Sequence, residues 1–224
     1  MKNLTLLLVI FVFTNCQAQS NTVKKKEIKF DQAWIWEYTN TTVPEDEIGH
    51  KGEVWVYYNE KLQYWLFTAE SYGITGEMFN WILAKPDGTY IVDYTDEFGK
   101  TGRLEMKAEF EKSKLLPEHY VANGKSNWYN QEDLGFPKFK GDGYSVTYEM
   151  VNDTSEFYLA PNEKINFAPI YLFNQLDSDA KLPIFFPVDL PGNWIYLEES
   201  TQMPQGEIQV KLTTITPTEY YINL

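Results

Sequence analysis

Apolar and polar residues alternate along most of this chain with a period of two, and turn residues break the pattern at short intervals. That is the signature of β-strands. Phe30 to Tyr38 sets Trp34, Trp36 and Tyr38 on one side of the alternation. Gly52 to Tyr58 and Gln63 to Glu70 form a hairpin across Asn59-Glu60-Lys61-Leu62. Glu77 to Ala84 and Thr89 to Tyr94 flank Pro86-Asp87-Gly88, where proline presets φ and glycine accepts φ > 0. Arg103 to Phe110 completes a six-strand meander.

From Glu111 to Asp142 the pattern decays into Lys, Asn, Gly and Pro with scattered aromatics, among them His119, Tyr120, Trp128 and Tyr129. Strand character returns at Tyr144 to Val151 and Glu156 to Leu159, and Gly206 to Ile215 and Thr218 to Leu224 read as two closing strands. Prolines at 161, 169, 183, 187 and 191 leave room for no more than a helical turn or two near Ile170 to Gln175. The fold class that follows is mainly β: one domain over residues 28–224, a curved antiparallel sheet, half-barrel or sandwich-like, with few short helices.

With Glu60-Lys61 at the first hairpin tip, Tyr57 opposes Tyr64, Val56 opposes Trp65, Trp55 opposes Leu66 and Val54 opposes Phe67. Both faces of this hairpin are apolar, so something covers each side. With Asp87-Gly88 at the second tip, Phe79, Trp81, Leu83, Tyr90, Val92 and Tyr94 share one face. The expectation is a continuous aromatic face against a second layer built from the later half of the chain. Two readings of these rings stand: a packed core, or the lining of an apolar cavity.

Composition narrows the partners. Of 224 residues 17% are aromatic, and 32 acids against 19 lysines and arginines give a formal charge of -13. A chain this acidic, with Arg103 as its single arginine, repels phosphate backbones and anionic headgroups, so nucleic acid is excluded as a partner. The length suits one domain.

The first residues read as an address. Lys2, the apolar run Leu4 to Phe13, and the polar Thr14-Asn15-Cys16-Gln17-Ala18-Gln19-Ser20 form a secretory signal peptide over 1–18, followed by a polar leader over 19–27. The apolar run is too short to span a bilayer, for which about 20 residues are needed. Phe13-Thr14-Asn15-Cys16 resembles a bacterial lipoprotein box, which implies cleavage before Cys16, lipidation of that residue and a tether to the membrane, at about 0.8 kcal/mol per buried methylene. Ordinary cleavage after Ala18 is the competing reading. Cys16 is the sole cysteine, so the domain carries no disulfide, thiol nucleophile or Cys-based metal site. The expected location is the periplasm or the outer membrane of a Gram-negative bacterium.

An exported chain running through Gly-Glu-Val-Trp-Val-Tyr-Tyr, Tyr-Trp-Leu-Phe and Trp-Ile-Leu-Ala-Lys-Pro-Asp-Gly-Thr-Tyr-Ile-Val-Asp-Tyr resembles, over residues 28–110, the half-barrel lipoprotein carriers (LolA/LolB-like). The resemblance implies an unclosed barrel that is capped by helices and holds acyl chains in an apolar cavity.

Motifs for chemistry are sparse. Asp93-Tyr-Thr-Asp96-Glu97-Phe98-Gly99 puts Phe98 where an EF-hand needs an oxygen ligand, and reads as a polar hairpin turn. His50 and His119 lie in no zinc-binding spacing, and Gly143-Tyr144-Ser145-Val146-Thr147 lacks the second glycine of a nucleophile elbow. No catalytic residue, metal site or cofactor is expected. The first functional reading is therefore a non-enzymatic envelope protein that binds an apolar or lipid ligand on Trp55, Tyr57, Trp65, Phe67, Phe79 and Trp81. The alternatives are a surface lipoprotein that binds glycan or a partner protein through exposed aromatics such as Trp128 and Tyr129, and a hydrolase with an unidentified carboxylate pair.

Overall fold

A computed structural model describes residues 26–69, 79–107, 121–122, 144–150, 153–162, 164–171 and 194–224. The signal peptide with Cys16, and most of the excursion with His119, Trp128 and Tyr129, lie outside the described residues.

The alternation forms strands as expected. They are β1 (Glu27–Asn40), β2 (Lys51–Asn59), β3 (Tyr64–Thr68), β4 (Trp81–Ala84), β5 (Thr89–Thr95), β6 (Thr101–Lys107), β7 (Val121–Ala122), β8 (Tyr144–Met150), β9 (Asp153–Pro161), β10 (Trp194–Met203) and β11 (Gly206–Asn223). One helical turn, α1 (Ala168–Tyr171), precedes β10. The six-strand meander is present, and every pairing is antiparallel.

The strands make one open sheet in the order β6-β5-β4-β3-β2-β1-β11-β10-β9-β8-β7. Its described later strands therefore extend the meander's own sheet instead of building a separate layer. The cause is β1, which uses both edges, pairing β2 on one side and β11 on the other. The two closing strands expected from the sequence are one strand, β11. Pro217 interrupts the pattern but not the strand, because it pairs Gln32 at a register shift, a position where a missing N–H is tolerated.

Loop length decides the faces. In the first hairpin the observed pairs are Tyr58 with Trp65, Tyr57 with Leu66 and Val56 with Phe67. This is two residues from the expected register, a shift that leaves each side chain on its face. The loop is Glu60 to Gln63, set by Asn59 Oδ1 accepting the Leu62 N–H at 2.6 Å and by Gln63 at φ 57°. The second hairpin slips by one. Lys85 N–H donates to Thr89 O at 2.8 Å around the three residues Pro86-Asp87-Gly88, with Gly88 at φ 79°. Ile82 then faces Val92 and Ala84 faces Tyr90, while Trp81 and Leu83 turn to the opposite side with Asp93 and Ile91. A one-residue slip moves a strand's whole side-chain set across the sheet, so the expected grouping of Trp81 and Leu83 with Tyr90 and Val92 is overturned.

Two cores result. On the inner face Trp34, Trp36, Val54, Val56, Tyr58, Trp65, Phe67, Tyr90, Leu159, Tyr196, Val210 and Leu212 are buried together. On the outer face Ile28, Phe30, Leu66, Leu83 and Ile222 form a smaller cluster, with Tyr57, Trp81 and Tyr220 packed against it. The switch falls at the register shift between Phe30 and Gln32, where two steps along β1 oppose three along β11: Phe30 faces outward, and Gln32 and Trp34 inward. The first hairpin is thus covered on its inner side and, around Tyr57 and Leu66, on its outer side, while Trp55 stays partly exposed. The sheet also coils. Arg103 on edge strand β6 donates Nη2 to Asn223 O at 2.6 Å, although β6 and β11 stand six places apart in the sheet. The same guanidinium bonds Asp93 Oδ2 at 2.8 Å and lies 5.2 Å from the Trp81 ring centroid, so it latches the end of β11 over the outer face.

Candidate functional site

The six residues expected to line one ligand surface divide between two faces. Trp65, Phe67 and Phe79 belong to the inner core. Tyr57 and Trp81 lie against the outer cluster, where Tyr57 stacks on Tyr220 with centroids 4.4 Å apart. Trp55 stands on the outer face with its ring partly in solvent.

The inner aromatics pack ring against ring. Trp34 lies 6.0 Å from Trp36 and 5.3 Å from Trp65, and Trp65 lies 4.3 Å from Tyr58. Phe167 fills the space before them, 5.8 Å from Trp34, 6.2 Å from Trp36 and 5.0 Å from Trp65. Its segment is fastened to the sheet by polar groups of β3, of β5 and of the loop before β3. Trp65 Nε1 donates to Asn166 O at 2.8 Å, Tyr90 OH donates to Pro169 O at 2.7 Å, and Asn166 N–H donates to Gln63 Oε1 at 3.0 Å. Asn166 Oδ1 in turn accepts the Ala168 N–H at 3.1 Å and starts the turn of α1, whose Pro169 needs no donor there. An apolar ligand at this place would have to displace Phe167.

One hydroxyl in this cluster is unsatisfied: Tyr58 OH is buried and makes no hydrogen bond. Burial, followed by the charges of Glu60 and Asp31, pushes the phenol far above its ordinary range, so it stays neutral.

At the far end of the inner face lies a buried acid that the sequence reading passed over. Glu199 accepts from Tyr196 OH and Thr201 Oγ1, both at 2.5 Å. Burial pushes its carboxyl up to about 7, with the two hydroxyls pulling the other way. In Tyr-Leu-Glu-Glu-Ser both acids look solvated. The register shift between Tyr196 and Glu198 turns Glu199 inward, opposite Val210. Its bonded neighbours are hydroxyls, an arrangement suited to holding one proton and not to the paired carboxylates of glycoside hydrolysis.

The outer face carries a different set. Trp55 opposes Ile35, and its indole N–H donates to Glu53 Oε2 at 2.7 Å, which fixes the ring's orientation. Across the next rung run Glu53, Glu37, Lys211 and Glu198, one on each of four neighbouring strands. A flat apolar ring beside charged hydrogen-bonding groups suits a ligand with one apolar face and many hydroxyls.

Among the described residues no three His, Cys, Asp or Glu side chains gather to hold a metal ion. His50 is loop, as the sequence suggested, with Nδ1 2.7 Å from Val43 O. The Asp96-Glu97-Phe98-Gly99 stretch is the hairpin turn expected of it, Asp96 Oδ1 accepting from Phe98 and Lys100 N–H. Comparison with protein-family profiles and with curated proteins gives no match.

Proposed function

We propose that this chain is a non-enzymatic, exported envelope protein that binds a glycan on the outer face of its sheet, with Trp55 as the stacking platform and Glu53, Glu37 and Lys211 as the polar contacts. The observation that carries this reading is the contrast between the two faces. The inner aromatics are already filled by Phe167, whereas Trp55 presents an oriented ring to solvent beside charged groups. Lipidation of Cys16 would hold such a binder at the membrane surface.

A glycan array probed with the wild type and with Trp55→Ala tests it. Binding by the wild type that weakens at least about tenfold in the variant, roughly 1.4 kcal/mol, supports the assignment. A blank array sinks it. Uptake of a fluorescent fatty acid that is lost on Trp65→Ala would return the chain to the carrier reading, and capture of a protein that depends on Trp55 would keep the surface but change the partner.

A further inference from the structure

Strand β6 is an edge among the described strands, and its burial is unusual. It pairs β5 along its whole length, from Thr101 opposite Thr95 to Lys107 opposite Thr89, yet Thr101, Arg103, Leu104, Glu105 and Lys107 are all exposed. Only Met106 packs against the inner core, and Leu104 shows 52% of its surface to water. A fully formed strand that buries little of itself, with a solvent-exposed leucine at its centre, has the form of an edge open to another strand.

We propose that β6 docks antiparallel against β6 of a second copy, about a twofold axis normal to the sheet at Leu104. The order of charges selects this register. Centred on Leu104, Arg103 faces Glu105 of the other copy twice, Thr101 faces Lys107 twice, and the two Leu104 side chains meet on the inner face. Centred on Arg103 or on Glu105, like charges stand opposite one another, and facing like charges oppose pairing. Arg103 commits its Nε and one Nη2 hydrogen to Asp93 and Asn223, and a guanidinium has five N–H groups, so donors remain for the Glu105 carboxylate. Gly102 opposes Met106 on the inner face and adds no side chain of its own there, the Tyr94 ring of the same copy taking the place where a Cβ would stand. The contact is isologous and closes at two copies.

The register predicts which positions cross-link. In the exported chain carrying Cys16→Ser, Leu104→Cys puts the two new thiols directly opposite, within the Cα separation a disulfide accepts. Mild oxidation should give a disulfide dimer with Leu104→Cys and none with Thr101→Cys alone, whereas a mixture of Thr101→Cys and Lys107→Cys should cross-link. By sedimentation velocity the unmodified chain should be a dimer at high concentration. Glu105→Arg, an exposed position that leaves the fold intact, should weaken the dimer at least about tenfold. A chain that stays monomeric throughout, or a Leu104→Cys cross-link no faster than that of Thr101→Cys, would overturn the proposal. A dimer unaffected by Glu105→Arg and Leu104→Lys would place the contact elsewhere and overturn it as well.

Discussion

Replacing Tyr58 by phenylalanine should stabilise the protein. The Tyr58 hydroxyl is buried without a hydrogen bond, whereas its ring keeps the Trp34 and Trp65 contacts at 6.3 and 4.3 Å, which phenylalanine reproduces. A polar group stripped of water with nothing in return costs about 1–3 kcal/mol, and the lost dispersion of one oxygen offsets a few tenths of that. The expected gain is about 1 kcal/mol, or about 2–4 °C in Tm for a chain of this size. Urea unfolding followed by tryptophan fluorescence reads it directly, because three tryptophans sit in the same cluster. Tyr90→Phe supplies the opposite sign within the same core. The Tyr90 hydroxyl donates to Pro169 O at 2.7 Å, so its removal leaves a buried carbonyl short of a donor and costs about 1–2 kcal/mol. If Tyr58→Phe lost 1 kcal/mol or more, the hydroxyl would have a partner and the reasoning would fail.

Phe167→Ala should cost about 3–5 kcal/mol, the range for emptying a fully buried phenylalanine site; differential scanning calorimetry checks it, and a loss under 1 kcal/mol would show that the segment does not hold the inner face together. Glu199 gives a pH dependence of unusual sign. Its carboxyl titrates near 7 when folded and in the ordinary range near 4.5 when unfolded, so between these values the folded state binds more protons and stability falls as pH rises. The contribution is full below about pH 4.5 and lost through about pH 7, at most about 3 kcal/mol. Unfolding free energies of wild type and Glu199→Gln at pH 5 and pH 8 test this; the variant should lose that part of the slope, and an unchanged slope would remove Glu199 as its source.

How much of this was legible in the sequence depends on whether alternation carried information at each place. It did in β1, where Trp34 and Trp36 alternate with smaller and polar residues and turn inward together. It did not in β4, where Trp81-Ile82-Leu83-Ala84 is apolar at each position and either face fits; there the three-residue turn at Pro86-Asp87-Gly88 sets the register, and the choice between a two- and a three-residue loop is a matter of backbone geometry that the pattern does not encode. The same limit governs the site. Val54-Trp55-Val56 shows that Trp55 opposes its neighbours, but that its side is the wetter one follows only from where the paired ends of β1 and β11 pack over the outer face, a fold-back that reaches Tyr57 through Tyr220 and leaves Trp55 partly exposed. Glu199 was hidden for a third reason: a bulge has no compositional mark in Tyr-Leu-Glu-Glu-Ser, yet one inserted residue exchanges the fates of two neighbouring acids. Register, fold-back and bulge are long-range properties, each fixed by strands distant in sequence. Hence the strands of this chain follow from its local pattern, while the division of its aromatics into a sealed inner core and one oriented outer ring follows from β1 pairing at once with β2 and β11.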